Sequence, residues 1–262
     1  MQRQKKFWVI LLSAILFLSG AALGVSAVYR VEKVTLESSL VSKEAEGQAQ
    51  VLRERLEEAY ARESIFFVSE RTAQEIMTEF PYFRLTGFEK SHPNRLIVKI
   101  AEDAEVYAVE TPGVGYYILG EDGTVLGARE TPVNVLNGAE NVLIQGLSVV
   151  GENGKLPAGD PHFNSVLALC KALSLQLGGI RSNVVSVEVF TREPETIYRL
   201  TMREGVKLYF GDPTQKTQEK AEAAVRAYRD LSDEQKLIGR MVISATGEEI
   251  FTNYASRDEF ES

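Results

Sequence analysis

A single cysteine among 262 residues excludes an intrachain disulfide. That cysteine, Cys170, sits in "FNSVLALCKALSLQL" with Val166, Leu169 and Leu173 at helical spacing around it. Such a setting is that of a buried structural thiol rather than a reactive one. Histidine is nearly as scarce. His92 and His162 each adjoin a proline, and neither has a Cys, His or acidic partner at metal-ligand spacing, so no metal site is expected. The chain also lacks G-x-S-x-G, S-x-x-K, H-E-x-x-H and the phosphate-cradling G-x-x-x-x-G-K-[ST]. "GDPTQKT" at 211–217 has neither the second glycine nor the Gly-Lys pair of a phosphate loop. It reads instead as a helix start, with Asp212 as cap and Pro213 in the first turn. The carboxylate pairs Glu102-Asp103 and Glu121-Asp122 fall at expected strand ends and turns. The residues therefore point away from an enzyme, a cofactor and a small-molecule substrate.

Cations are in deficit too. The formal charge is −8, although Arg3, Lys5 and Lys6 crowd the amino terminus. No Lys/Arg cluster with interleaved aromatics follows, and an acidic exterior repels phosphate backbones, so nucleic acid is not an expected partner. Charge is missing altogether from Phe7 to Val28, 22 residues that include Trp8, Leu12 and Leu16. A spanning helix needs about 20 apolar residues, and a basic flank sets its orientation with the amino terminus inside. The same stretch also suits a secretion signal, with Val25-Ser26-Ala27 as the cleavage site. At this point both readings stand.

The rest of the chain shows organised secondary structure. "YRVEKVTLESSL" is β-prone, after which Ser42 caps an expected helix through about Arg62. Ala45, Ala49, Leu52, Leu56 and Ala59 give that helix one apolar stripe. Ser69 caps a second helix, "ERTAQEIMTEF", which must end near Pro81. "PYFRLTGFEKS" and "NRLIVKIAE" read as strands joined around His92-Pro93-Asn94, with Leu96, Val98 and Ile100 on one face. The order is β-α-α-β-β. Beyond it, "VYAVETPGVGYYILGEDGTVLG" reads as a hairpin turning at Asp122-Gly123. "NVLIQGLSVV" precedes a helix opened by Asp160-Pro161 and closed by Gly178-Gly179. Three strand candidates follow: "NVVSVEVFTR", "TIYRLTMRE" and "GVKLYFG". A helix from Pro213 to about Leu231 buries Ala221, Ala224, Val225, Tyr228 and Leu231. "RMVISA" and "EEIFTNYA" close the chain as a hairpin around Thr246-Gly247.

The stretch "ESIFFVSERTAQEIMTEFPYFRLTGFEKSHPNRLIVKIAED" resembles the POTRA half of the bacterial division proteins of the FtsQ/DivIB family. The matching positions are Ile65, Phe66, Val68, Pro81, Pro93, Leu96, Val98, Ile100 and Glu102. "GVKLYFGD", "KAEAAVRAYRDL" and "GRMVISATG" are similar to the strand, helix, strand order that closes the family's second domain. The family's glycine after the first strand and its proline after the terminal acidic residue are absent here. The resemblance implies an α+β fold with these parts: a cytoplasmic tail (1–6), an uncleaved single-pass transmembrane helix (7–28), a POTRA domain (29–102), a larger mixed β-sheet domain with flanking helices (103–255), and a flexible tail (256–262). It further implies a non-enzymatic scaffold outside the cell membrane, at the division septum. Such a scaffold binds FtsL-like and FtsB/DivIC-like single-span proteins and helps regulate septal peptidoglycan synthesis. The contact is expected along the edge strand "EEIFTNY", with Ile250, Phe251 and Tyr254 as anchors; the same three residues could equally pack the core. Rival readings are a POTRA-bearing scaffold of a transport or sporulation system, a secreted binding protein released after Ala27, and an enzyme using Cys170 as nucleophile.

Overall fold

The computed structural model describes residues 13, 28–40, 43–61, 63–113, 115–133, 140–192, 195–212, 214–246 and 249–255. They form two compact units that divide between Glu102 and Asp103.

The first unit runs β1 (Lys33–Ser39), α1 (Lys43–Tyr60), α2 (Glu70–Met77), β2 (Phe83–Ser91) and β3 (Arg95–Glu102). Its sheet has the order β1-β3-β2, with β1 parallel and β2 antiparallel to β3. Alternation in β3 does what period-2 patterning requires: Leu96, Val98 and Ile100 are buried. Above them, α1 lays down Ala45, Ala49, Leu52, Leu56 and Tyr60, all buried. The stripe thus ends on Tyr60 rather than Ala59, because the Tyr60 hydroxyl donates to the Ser69 carbonyl at 2.6 Å and locks the end of α1 to the start of α2. Ser69 caps α2, its Oγ accepting from the Arg71 N–H at 3.1 Å.

The second unit runs β4 (Tyr107–Thr111), β5 (Gly115–Leu119), β6 (Val125–Arg129), β7 (Val142–Gln145), α3 (Phe163–Leu177), β8 (Val184–Arg192), β9 (Glu195–Met202), β10 (Lys207–Gly211), α4 (Thr217–Asp230), α5 (Asp233–Leu237), β11 (Arg240–Thr246) and β12 (Glu249–Ala255). Nine strands make one mixed sheet, ordered β12-β11-β10-β9-β8-β7-β4-β5-β6. Two of the three parallel joins fall where a helix carries the chain across, α3 between β7 and β8 and α4 between β10 and β11; the third, β4 with β7, is reached through β5 and β6. Both helices pack on the same side. Phe163, Val166, Cys170 and Leu173 of α3, and Ala221, Ala224, Val225 and Tyr228 of α4, meet Val187, Leu200, Phe210, Met241 and Ile243 of the sheet in one core.

Several expectations are corrected here. The expected fold class included an N-terminal transmembrane helix. Among the described residues no helix is long and apolar enough to cross a membrane. The longest, α1, is amphipathic, with Arg53, Glu54, Arg55, Glu57 and Glu58 on its exposed side. Of the segment 7–28 only Ser13 and Val28 are described, so the expected anchor residues Phe7, Trp8, Leu12 and Leu16, with Arg3, Lys5 and Lys6, lie outside the described residues; Val28 is exposed. What stands is an α+β chain with five described helices and two sheets. The expected single hairpin at Asp122-Gly123 is a three-stranded meander, because the glycines at 113 and 115 adopt positive φ and make a second turn between β4 and β5. The helix expected from Pro213 starts at Thr217. Asp212 does not cap it: its Oδ1 accepts from the Thr214 hydroxyl at 3.0 Å, and its carbonyl is taken by the Lys220 ammonium at 2.6 Å. Pro213 and Ser42 lie outside the described residues.

Candidate interaction edge

A nine-stranded open sheet has two edges, and each presents a row of backbone donors and acceptors that must be managed. The β6 edge is partly closed by its own chain. Val125 N–H donates to the Lys155 carbonyl at 2.9 Å, and Gly154 N–H donates to the Val125 carbonyl at 2.8 Å. The other edge is β12. It pairs antiparallel with β11 from Glu249↔Thr246 to Ala255↔Arg240, and among the described residues no strand lies on its far side.

Register assigns each β12 side chain to a face, since paired residues of an antiparallel ladder share one. Tyr254 pairs with buried Met241, Thr252 with buried Ile243, and Ile250 with Ala245, so these three point toward the helices. Ile250 and Tyr254 are half-buried against the core. The Tyr254 hydroxyl donates to the Ile238 carbonyl at 2.9 Å, in the connection that feeds β11, and lies 3.4 Å from the Gln235 carbonyl of α5. Phe251 takes the opposite face with Ser244 and is 48% exposed. Of the three expected anchors, the structure therefore brings Ile250 and Tyr254 together as packing residues and leaves Phe251 turned to solvent.

Behind Phe251 lies the sheet face that neither α3 nor α4 covers. The register runs across it as Glu188↔Arg199, Arg199↔Tyr209, Tyr209↔Val242 and Val242↔Asn253, one continuous rung ending at the edge. Arg199 forms an ion pair with Glu188 and also sits over the Phe190 ring, 5.7 Å from its centroid. Arg240 stacks in the same way on Tyr209, at 5.7 Å. Stacked guanidinium and aromatic groups give this face a rigid, amphipathic texture next to the open strand. Sequence reasoning missed this rung, because period-2 alternation within each strand says nothing about which strands become neighbours.

It missed Gly239 as well, although the glycine stands directly before "RMVISA". At φ 112° it occupies backbone space that favours glycine, and a Cβ there would fall 2.6 Å from the Tyr254 hydroxyl and 2.9 Å from the Ala255 carbonyl. The absence of a side chain at 239 is what lets Tyr254 reach its carbonyl.

The other residues singled out in the sequence have structural positions. Cys170 is wholly buried, and burial pushes its thiol up to about 12. His162 Nδ1 lies 3.2 Å from the Tyr198 hydroxyl. Asp122 accepts from both the N–H and the hydroxyl of Thr124 at 2.8 Å, an Asx-type turn that holds the β5–β6 connection. Among the described residues no group of three or more His, Cys, Asp or Glu is arranged to hold a metal ion. In comparisons with known proteins, no family model and no curated protein matches the chain.

Proposed function

We propose that this chain is a non-enzymatic scaffold of bacterial septation. Extended segments of FtsL-like and FtsB/DivIC-like partners add as a strand to β12, and the assembly helps regulate septal peptidoglycan synthesis. The resemblance of "ESIFFVSERTAQEIMTEF" through "NRLIVKIAED" to the POTRA half of the FtsQ/DivIB family supplies the partner class. One observation carries the mode of contact: β12 is flanked on one side only among the described residues, with Phe251 exposed beside the open side. A partner strand laid there gains main-chain hydrogen bonds for affinity, and alternate side chains give it specificity. Phe251 supplies the aromatic surface that tends to dominate interface energies, while Ile250 and Tyr254 hold the strand that presents it.

The test places a photo-crosslinking amino acid at position 251 of the full chain, in cells that express it from its own promoter. The adduct expected is with the FtsB/DivIC-like partner, and the fluorescently tagged chain is expected to gather at midcell. Adducts with transport or sporulation components, or an even distribution around the envelope, would overturn the septal reading. Efficient adducts from position 244 or 185 but none from 251 would overturn the edge.

A further inference from the structure

At one end of the first unit, three segments converge. Tyr29 and Val31 are tied to the α1–α2 connection, with Ile65 N–H donating to the Tyr29 carbonyl at 2.8 Å and Val31 N–H to the Glu63 carbonyl at 2.9 Å. Glu32 N–H donates to the Asn94 carbonyl at 3.0 Å, and the Asn94 amide returns to the Glu32 carboxylate at 2.6 Å, which brings in the β2–β3 turn. Within this clamp, N–H groups of Phe67 and Val68 both donate to the Ser64 carbonyl, at 2.8 and 3.2 Å. The tight turn sends Ile65 and Val68 into the core and the intervening Phe66 and Phe67 outward, 54% and 84% exposed.

Two adjacent exposed phenylalanines are costly in water, and these do not stand alone. Phe66 lies 4.9 Å from the Tyr29 ring and 5.4 Å from His92, and Tyr29 lies 6.1 Å from His92. Exposed Val28 adjoins them in sequence. The cations at the same end, Arg30, Lys33, Lys90 and Arg95, are all exposed and outnumber Glu32 and Glu63, in a chain whose net charge is −8. Lys90 reaches over the patch itself, its ammonium 3.2 Å from the Phe66 carbonyl. Aromatic rings ringed by cations are the composition that favours the headgroup layer of an anionic bilayer. The occupant follows from charge complementarity: four exposed cations around exposed rings, in a chain of net charge −8, match an anionic headgroup layer.

We propose that the cluster of Tyr29, Phe66, Phe67 and His92, with its rim of Arg30, Lys33, Lys90 and Arg95, seats on the headgroup layer of an anionic lipid bilayer. This fixes the first unit directly against the lipid, independently of what binds β12. A unit seated on a surface through this patch loses orientational freedom, and a partner then meets it in fewer dimensions.

Trp8 is the only tryptophan, so Trp8→Phe with Phe67→Trp gives the full chain one fluorophore, placed in the patch. In phosphatidylglycerol vesicles its emission is expected to shift to the blue. Lipids brominated near the headgroup end of their acyl chains should quench it by about twofold or more, as for a ring at the interface. The reference is Trp8→Phe with Leu175→Trp, at an exposed position on α3 of the second unit, which should be unquenched. A blue shift without bromine quenching means that protein covers the rings, whether the chain's own apolar run or a partner, and overturns the proposal. Water-like emission overturns it too, as does equal quenching at position 175. Equal quenching in uncharged phosphatidylcholine vesicles refutes the anionic preference.

Discussion

The hydroxyl of Tyr254, on the last strand, donates a 2.9 Å hydrogen bond to the carbonyl of Ile238, 16 residues earlier. That bond closes the β11–β12 hairpin from behind, on the face opposite Phe251, and it depends on the bare backbone at Gly239. Removing the hydroxyl with Tyr254→Phe should cost about 1 kcal/mol, the net worth of one such bond. In the full chain that is a fall in melting temperature of about 2–4 °C. Gly239→Ala should cost more, about 1–3 kcal/mol, because it adds backbone strain to a clash with the Tyr254 hydroxyl. The two changes act on one contact, so the double variant should be less destabilised than the sum of the single ones. Thermal unfolding of the four proteins measures this, and strict additivity would contradict the coupling.

Phe251 should behave in the opposite way. Its side chain is exposed and its register partner is Ser244, so Phe251→Asp should change stability by no more than about 0.5 kcal/mol, as surface substitutions do. If β12 is where partners add, the same change should sharply reduce their recovery on affinity purification. The informative result is the dissociation of the two readouts: partner loss with an unchanged urea midpoint. Deleting residues 249–262 cannot provide it, because Ile250 and Tyr254 leave the core at the same time.

The contrast between Tyr254 and Phe251 also shows how much was legible beforehand. Strand alternation separates Phe251 from Ile250 and Tyr254, and that follows from the two-residue period alone. Which face is covered depends on where α3 and α4 land, a matter of tertiary packing. The apolar stripe of α1 and the Ser69 cap of α2 were readable because their causes are local. The second turn of the β4–β6 meander was harder to read: "TPGVG" is weaker as a turn signal than Asp-Gly, though the glycines at 113 and 115 make it. The start of α4 was misplaced because Asp-Pro is a good local opening, whereas the structure spends the Asp212 carbonyl on a lysine two turns away. The Glu105–Arg129 ion pair, whose carboxylate is buried and also receives the Asn141 amide at 3.4 Å, joins three segments that no sequence spacing relates.

Lys220 gives a prediction with a defined pH sense. It is fully buried, and its ammonium donates to the carbonyls of Gly211 at 2.8 Å and Asp212 at 2.6 Å. Burial lowers its pKa below the ordinary 10.5, with the nearby Asp212 charge opposing the shift. The unfolded chain therefore binds this proton more tightly than the folded one. The cost of burying the charge is complete below the folded pKa and is relieved as pH rises through it toward 10.5, so the lysine's contribution to stability improves with pH over that window. Comparing the native chain with Lys220→Met isolates the effect. The stability difference should move in favour of the native lysine as pH rises toward that value. A pH-independent difference would show that the group titrates alike in both states.

Cys170 makes the fold report on itself. The thiol lies in the core between α3 and the sheet, and burial pushes it up to about 12, so neither access nor thiolate is present in the folded chain near neutrality. A thiol reagent should leave the native protein unlabelled and modify it fully in denaturant. The labelling rate in water should follow the population of opened molecules, whose free-energy cost approaches that of global unfolding for a core position. Tyr254→Phe and Gly239→Ala should then speed labelling only if opening the last hairpin also opens the core around α3. If they lower the melting temperature and leave the Cys170 rate unchanged, β11 and β12 open as a separate unit, and the edge strand is held on less tightly than the sheet that carries it.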